Sequence, residues 1–260
     1  MRKREGMRRL ARNPARRSPR RGRGAVRIGC SGYMYDHWQR LFYPADLPRS
    51  RWFEHYASHF DVVEINNTFY RLPEAATFDD WRRRAPPGFE YALKLSRYGT
   101  HMKRLKEPAR WLRTFLRGAE RLRSRLGPIL VQLPPHWHAD PERLDLFLRA
   151  APKRRRWAVE FRDASWLCDD VYAVLAKHGA ALCIHDLIEH HPLVVTADWV
   201  YLRFHGGRTG CYSPQALTAH ARRIAGWAGE GRDVYAFFNN DLGGHAVTNA
   251  QQLRRYVAKR

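Results

Sequence analysis

In the run Ala158-Val159-Glu160-Phe161-Arg162, an acid and a guanidinium stand two residues apart inside an otherwise apolar stretch. Side chains alternate across a β-strand, so residues two apart share a face. If Val159 and Phe161 meet surrounding helices, Glu160 and Arg162 point the other way, into the interior. The pattern recurs along the chain: Glu64 and Asn66 against Val63 and Ile65, Lys94 and Ser96 against Leu93 and Leu95, and Gln132 against Val131. Arg203 and His205 stand in the same relation to Leu202 and Phe204. The run Phe237-Phe238-Asn239 leaves its facing open, yet Asn239, Asn240 and Asp241 bring polar groups to the same end, as Asp186 does after Ala181.

Lys94, Arg162 and Arg203 supply positive charge, and an arginine can fork onto a phosphate or carboxylate. Glu64 and Glu160 are the candidates for proton transfer, while Asn239 and Asn240 could orient hydroxyls or carbonyls. Asn66, Ser96, Gln132, Asp186, His205 and Asp241 complete the candidate ligand-binding set. The leading expectation is therefore an enzyme or binder acting on a small anionic ligand, which requires no metal.

A second reading is phosphodiester processing or nucleic-acid binding. Glu64, Glu160, His185, Asp186, His205 and Asp241 could hold one divalent ion, but no H-E-x-x-H or comparable spacing announces it. No metal site is expected, and no cofactor identifies itself. The histidines are more often satisfied barrel residues than ligands. A noncatalytic sensor or scaffold stays open. A two-carboxylate glycosidase ranks low, because the second and fifth strands are not the pair such barrels employ. The plainest alternative is a buried ion network, although apolar replacements of such networks are often neutral or stabilising by ~1–4 kcal/mol. Gly206-Gly207 and Gly243-Gly244 read as tight turns, and Ser31 and Ser165 lack an identifiable His-Asp pair.

The elements that must hold these residues alternate in type, the mark of a parallel sheet with crossover helices. Strands are predicted at Val26–Cys30, Val62–Asn66, Glu90–Ser96, Ile129–Leu133, Trp157–Arg162, Ala181–Asp186, Val200–His205 and Val234–Asn239. Helices are predicted at Arg51–Phe60, Thr77–Arg84, Arg110–Leu126, Pro141–Ala150, Asp169–His178, Pro214–Ala228 and Asn249–Val257. Between the sixth and seventh strands His190–Trp199 shows no helical face, so one crossover should be irregular. Trp38, Trp52, Trp81, Trp111 and Trp166 are expected to pack helices on the barrel rather than to stack on bases. Eight strands in 260 residues fit one closed (β/α)8 barrel, over residues 25–260. Active sites of such barrels lie at the strand C-termini, where the polar residues collect.

The formal charge is +22, with 47 Lys and Arg against 25 Asp and Glu. Residues 1–24 hold eleven of the basic residues against Glu5 alone, and so supply +10 of it. That segment has no apolar face and is expected to be a disordered Arg-rich tail. It could be a solvated extension or an upstream start ahead of Met7. It could also be a basic arm for nucleic acid or an acidic partner, or an acid-poor transit peptide. Only seven of the 47 basic residues are lysine, a bias that codon usage explains as readily as binding does. No run approaches the roughly 20 apolar residues of a membrane span. A cytoplasmic protein without a membrane partner is expected. Cys30, Cys168, Cys183 and Cys211 show no C-x-x-C spacing and read as reduced thiols.

Eight ordered blocks resemble the YecE-like family, a widespread domain of unknown function: IGCSGYMYDHW (Ile28–Trp38), FYPADLP (Phe42–Pro48), VEINNTFYRLP (Val63–Pro73), KLSRYGTH (Lys94–His101), GPILVQLPP (Gly127–Pro135), AVEFRDASW (Ala158–Trp166), YLRFHG (Tyr201–Gly206) and DVYAFFNNDLGGHAVTNA (Asp233–Ala250). The resemblance runs from about Arg27 to Val257 and implies a TIM-like barrel similar to that of endonuclease IV, with no assigned activity. Tyr33 stands where the family usually has tryptophan, and Asp163 where histidine usually follows EFR. The Arg208–Tyr212 loop looks shorter than its counterpart.

Overall fold

The computed structural model describes residues 22–207 and 210–260. The expectation of a disordered tail therefore falls almost wholly outside the described residues. Eight parallel strands, β1 (Val26–Cys30), β2 (Val62–Ile65), β3 (Glu90–Lys94), β4 (Leu126–Gln132), β5 (Trp157–Glu160), β6 (Ala181–His185), β7 (Trp199–Phe204) and β8 (Asp233–Phe238), form a nearly closed barrel. Their order is β1-β8-β7-β6-β5-β4-β3-β2. Around it lie α1 (Trp52–His59), α2 (Asn67–Tyr70), α3 (Ala75–Arg84), α4 (Pro108–Ala119), α5 (Pro141–Ala150), α6 (Asp169–His178), α7 (Pro214–Gly229) and α8 (His245–Ala258).

The barrel closes unusually. β1 and β2 meet through one parallel bridge, Ser31 opposite Glu64. Below it the hydroxyl of Tyr56, from α1, takes the place of the ladder: it accepts from the Cys30 N–H at 2.8 Å and donates to the Val62 carbonyl at 2.9 Å. A buried backbone pair is thus satisfied by one side chain. Gly29 makes room, since a Cβ there would lie 2.2 Å from the Val62 oxygen.

Alternation sorts the core into two layers. Val63, Ile65, Leu93, Val131, Val159, Leu202 and Phe238 pack outward against the helices, while Val62, Ala92, Leu130, Ala158, Ala181, Tyr201 and Phe237 fill the lumen. Phe238 faces out and Phe237 in, which settles the facing of β8. The tryptophans Trp38, Trp52, Trp81, Trp111 and Trp166 are all buried in the outer layer. Pro141 and Pro214 begin α5 and α7 behind Asp140 and Ser213, whose side chains accept from the Arg143 and Ala216 N–H groups. Such caps contribute about 1 kcal/mol each.

Several boundaries depart from the periodicity. The strands end early: Asn66 has already turned into helical geometry (φ −92°, ψ −16°) to start α2, and Ser96 and Arg162 lie in loops just past β3 and β5. The predicted helix Arg110–Leu126 stops at Ala119. A tight turn over Glu120–Arg125, with Arg123 at φ 53°, reverses the chain so that Leu126 enters β4 beside Tyr91. The apolar stripe did not reveal this stop, because Leu122 stays buried within the turn. The crossover from His185 to Trp199 has no helix, in agreement with its lack of a periodic face.

Candidate functional site

At the C-terminal end of the lumen, the inward positions of the strands carry Ser31, Glu64, Lys94, Gln132, Glu160, Arg203 and, beyond β8, Asn239. The centre is Arg203, 1% exposed, which donates to Glu160 Oε2 at 2.6 Å and to Glu64 Oε1 at 2.8 Å. The buried Tyr201 hydroxyl donates to Glu64 Oε2 at 2.6 Å. Arg162 hydrogen-bonds Glu160 Oε1 through Nε. Strand phase alone places Tyr201 and Arg203 on one face, two residues apart.

Electrostatics follow from this wiring. Burial alone would raise the Glu160 carboxyl, but Arg203 and Arg162 overcome it and hold the group well below the usual range. Burial likewise works against the Arg203 charge, and Glu160 and Glu64 more than restore it. Glu160 is therefore a fixed anion, poorly suited to exchange protons near neutrality. The network binds the walls of β2, β5 and β7 together, as a structural role requires.

Structure and ligand binding are separated by what the network leaves unused. Lys94 is 8% exposed, and its ammonium makes no hydrogen bond to a described residue and has no described carboxylate oxygen within 4 Å. Its ammonium sits over the Phe69 ring, 4.1 Å from the centroid. Burial, reinforced by Arg203, lowers it to about 8. Ser31 Oγ, Asn66 Oδ1, Arg203 Nε and His205 Nε2 are buried without a hydrogen-bond partner. Unsatisfied buried polar atoms are costly, about 1–3 kcal/mol each, so a group of them at one end of a barrel calls for an explanation. His205 accepts from the Asn239 amide at Nδ1 over 3.1 Å, which leaves Nε2 carrying the proton. Burial and then Arg203 lower its imidazole to about 3, so it is a neutral donor.

Other predicted residues have separate tasks. Asp186 accepts from the N–H groups of His205 and Gly207 at 2.9 and 3.0 Å and from the Tyr212 hydroxyl, tying down the loop after β7. Asn240 binds Gly210 O and Asn249 Oδ1, both at 3.0 Å, linking that loop to α8. Ser96 caps the turn at Tyr98 N–H. Asp241 is turned toward His37, which binds its carbonyl oxygen at 2.6 Å. His185 Nε2 meets the Phe161 carbonyl at 2.8 Å. The six carboxylates and imidazoles considered for a divalent ion are thus held by other groups, and no described group of three or more His, Cys, Asp and Glu is placed to hold a metal.

Two contributors lay beyond strand-phase reasoning. Phe69, on α2, and His101, on a turn after β3, meet edge-to-face with centroids 5.0 Å apart beside Lys94. Burial and then Lys94 lower His101 to about 4. Both fall within the quoted motif blocks, but helical turns carry no period-2 signal. A separate cavity of about 270 Å³ lies beneath the helix-free crossover, lined by His185, His191, His220, Phe204, Arg223 and Trp227 among others. Arg203 also lines it and His191 Nε2 there has no described hydrogen-bond partner, whereas Glu64 and Lys94 do not line it.

A nearly closed parallel barrel with a charged cluster at its C-terminal end defines the class of protein. The chain belongs to the DUF72 family, described as a protein of unknown function, whose pattern matches residues 27–260. It is similar to the UPF0759 protein YunF of Bacillus subtilis, with 24% identity over 271 aligned positions covering 88% of this chain and 93% of that one. The UPF0759 protein YecE of Escherichia coli K12 is 28% identical over 140 positions, 53% of this chain and 48% of YecE. The fold matches a DUF72 family protein from Thermotoga maritima with TM-score 0.80 and 27% identity, covering 90% of this chain and 99% of that one. These relatives bear out the YecE-like resemblance and the barrel fold. No described helix is long and apolar enough to cross a membrane.

Proposed function

We propose that the C-terminal end of the barrel binds, and acts upon, a small ligand bearing a carboxylate or phosphate. The observation that carries this reading is the unsatisfied positive and donor character around Lys94. Glu64 and Glu160 are consumed by Arg203, Tyr201 and Arg162, while among the described residues Arg203 Nε and His205 Nε2 have no acceptor and the Lys94 ammonium meets only the Phe69 ring. An anion supplies acceptors for all three. Arg162, 24% exposed, has no described partner at its terminal nitrogens, which can fork onto the same group.

The test is a thermal-shift screen of carboxylated and phosphorylated metabolites, with short oligonucleotides alongside. A ligand at 100 times its Kd stabilises by about 2.7 kcal/mol, a readily visible shift. Wild type should respond to at least one small anion, and Lys94→Met and Arg162→Met should not. A response only to oligonucleotides, or one kept intact in both variants, would move the binding surface elsewhere.

A further inference from the structure

We propose that Lys94 is the nucleophile of this site and forms an imine with the carbonyl carbon of a small anionic aldehyde or ketone. The proposal rests on the anion-binding reading above and specifies the class of ligand.

Its basis is the way the lysine is housed. Two carboxylates occupy the same end of the lumen, yet Lys94 touches neither, because Arg203 takes an oxygen from each. Elsewhere Lys177 donates to Asp145 at 2.8 Å and Lys103 lies 3.6 Å from Glu107. Lys94 alone among these three is both buried and without a counter-ion. An amine buried from water and flanked by guanidinium groups surrenders its proton readily, and the free lone pair is what carbonyl addition needs. Arg162 and Arg203 also fit the anionic group that would sit next to the reacting carbon. Arg203 itself is an implausible nucleophile, as a guanidinium stays charged in proteins.

The step balances without any further reagent. The ammonium gives one proton to a base, and the Nζ lone pair adds to the carbonyl carbon as the C=O π pair moves onto oxygen. A second proton passes from nitrogen to that oxygen, giving a carbinolamine. The first proton then returns to the oxygen, water leaves, and the nitrogen pair closes the C=N bond. Ammonium plus carbonyl becomes protonated imine plus one water. Solvent serves as that base; the neutral His101 ring packs on the same Phe69 that carries Lys94 and lies with Nδ1 2.9 Å from Thr100 Oγ1.

The experiment treats the full chain with glyoxylate or pyruvate at neutral pH, reduces with borohydride and maps adducts by peptide mass spectrometry. Lys94 should be modified about tenfold or more faster than Lys103, Lys106, Lys153, Lys177 or Lys259. Lactate, of like charge but without a ketone, should raise the melting temperature and leave no adduct. Lys94→Arg, which keeps the charge, should retain the lactate shift and lose the adduct. A lactate shift without any Lys94 adduct overturns the imine and leaves anion binding standing. Absence of both overturns both. Modification spread evenly over the lysines also overturns the imine, and equal trapping of neutral propanal overturns the anionic class of substrate.

Discussion

The two ends of this barrel use the same residue types to different effect. At the N-terminal end, Arg27 pairs with Asp61 at 3.1 Å and Glu90 at 3.0 Å, Arg156 pairs with Asp233 at 2.6 Å, and the Tyr235 hydroxyl donates to Glu90 at 2.8 Å. Arg27, Glu90, Asp233 and Tyr235 alternate along their strands just as Glu64, Glu160 and Arg203 do, so charge at strand ends does not by itself mark a site. What differs is burial and completeness. The lower ring is partly solvated, with Arg156 40% exposed, and water can serve whatever it leaves open. The upper cluster is buried, and leaves Ser31 Oγ, Arg203 Nε and His205 Nε2 unserved. Solvated pairs contribute little, whereas buried ones are strongly destabilising to break.

The largest effect should come from Arg203→Met, which strands two buried carboxylates and should cost about 3–5 kcal/mol in urea denaturation. A loss under about 1 kcal/mol would erase the distinction between the ends. Lys94→Met should act in the opposite direction, raising stability at pH 7 by about 1–3 kcal/mol, because it removes a desolvated charge without a partner. The native amine releases its proton near 8 and the unfolded one near 10.5. Between these values the unfolded chain binds more protons, so wild-type stability rises with pH and the advantage of the variant shrinks. Denaturation curves at pH 7 and pH 10 check both the sign and the trend.

Glu160 sharpens the contrast under acid. Its folded-state affinity for protons lies well below the usual 4.5, so its contribution is complete above that value and is lost as pH falls through the folded one. Wild type should thus weaken steeply on acidification, and Glu160→Gln should show a shallower slope whatever its stability at pH 7. At the lower end, Arg156→Ala should cost only about 0–1 kcal/mol, less in high salt. A salt-insensitive loss of several kcal/mol there would show that the lower ring, too, behaves as a buried network.

Much of the frame was legible before any coordinates. Period-2 alternation placed Glu64, Lys94, Gln132, Glu160 and Arg203 on inward faces, because a strand offers only two sides and the apolar residues claim one. The irregular crossover after β6 was readable as an absence of periodicity. The capping residues Asp140 and Ser213 precede prolines that only a first helical turn accepts comfortably. Asp186 and Asn240 resisted such reading. Both follow strands, yet their partners, the loop after β7 and Asn249 on α8, are remote in sequence.

The amino-acid sequence by itself determined which face each strand residue takes and at which end charge accumulates, since both follow from local geometry. It could not determine who pairs with whom. Arg203 captures both Glu64 and Glu160, 139 and 43 residues away along the chain, and only barrel closure brings the three within hydrogen-bond distance. Lys94 is left alone by that same closure. Its lack of a counter-ion is a property of three-dimensional competition for carboxylate oxygens, which no spacing of residues encodes.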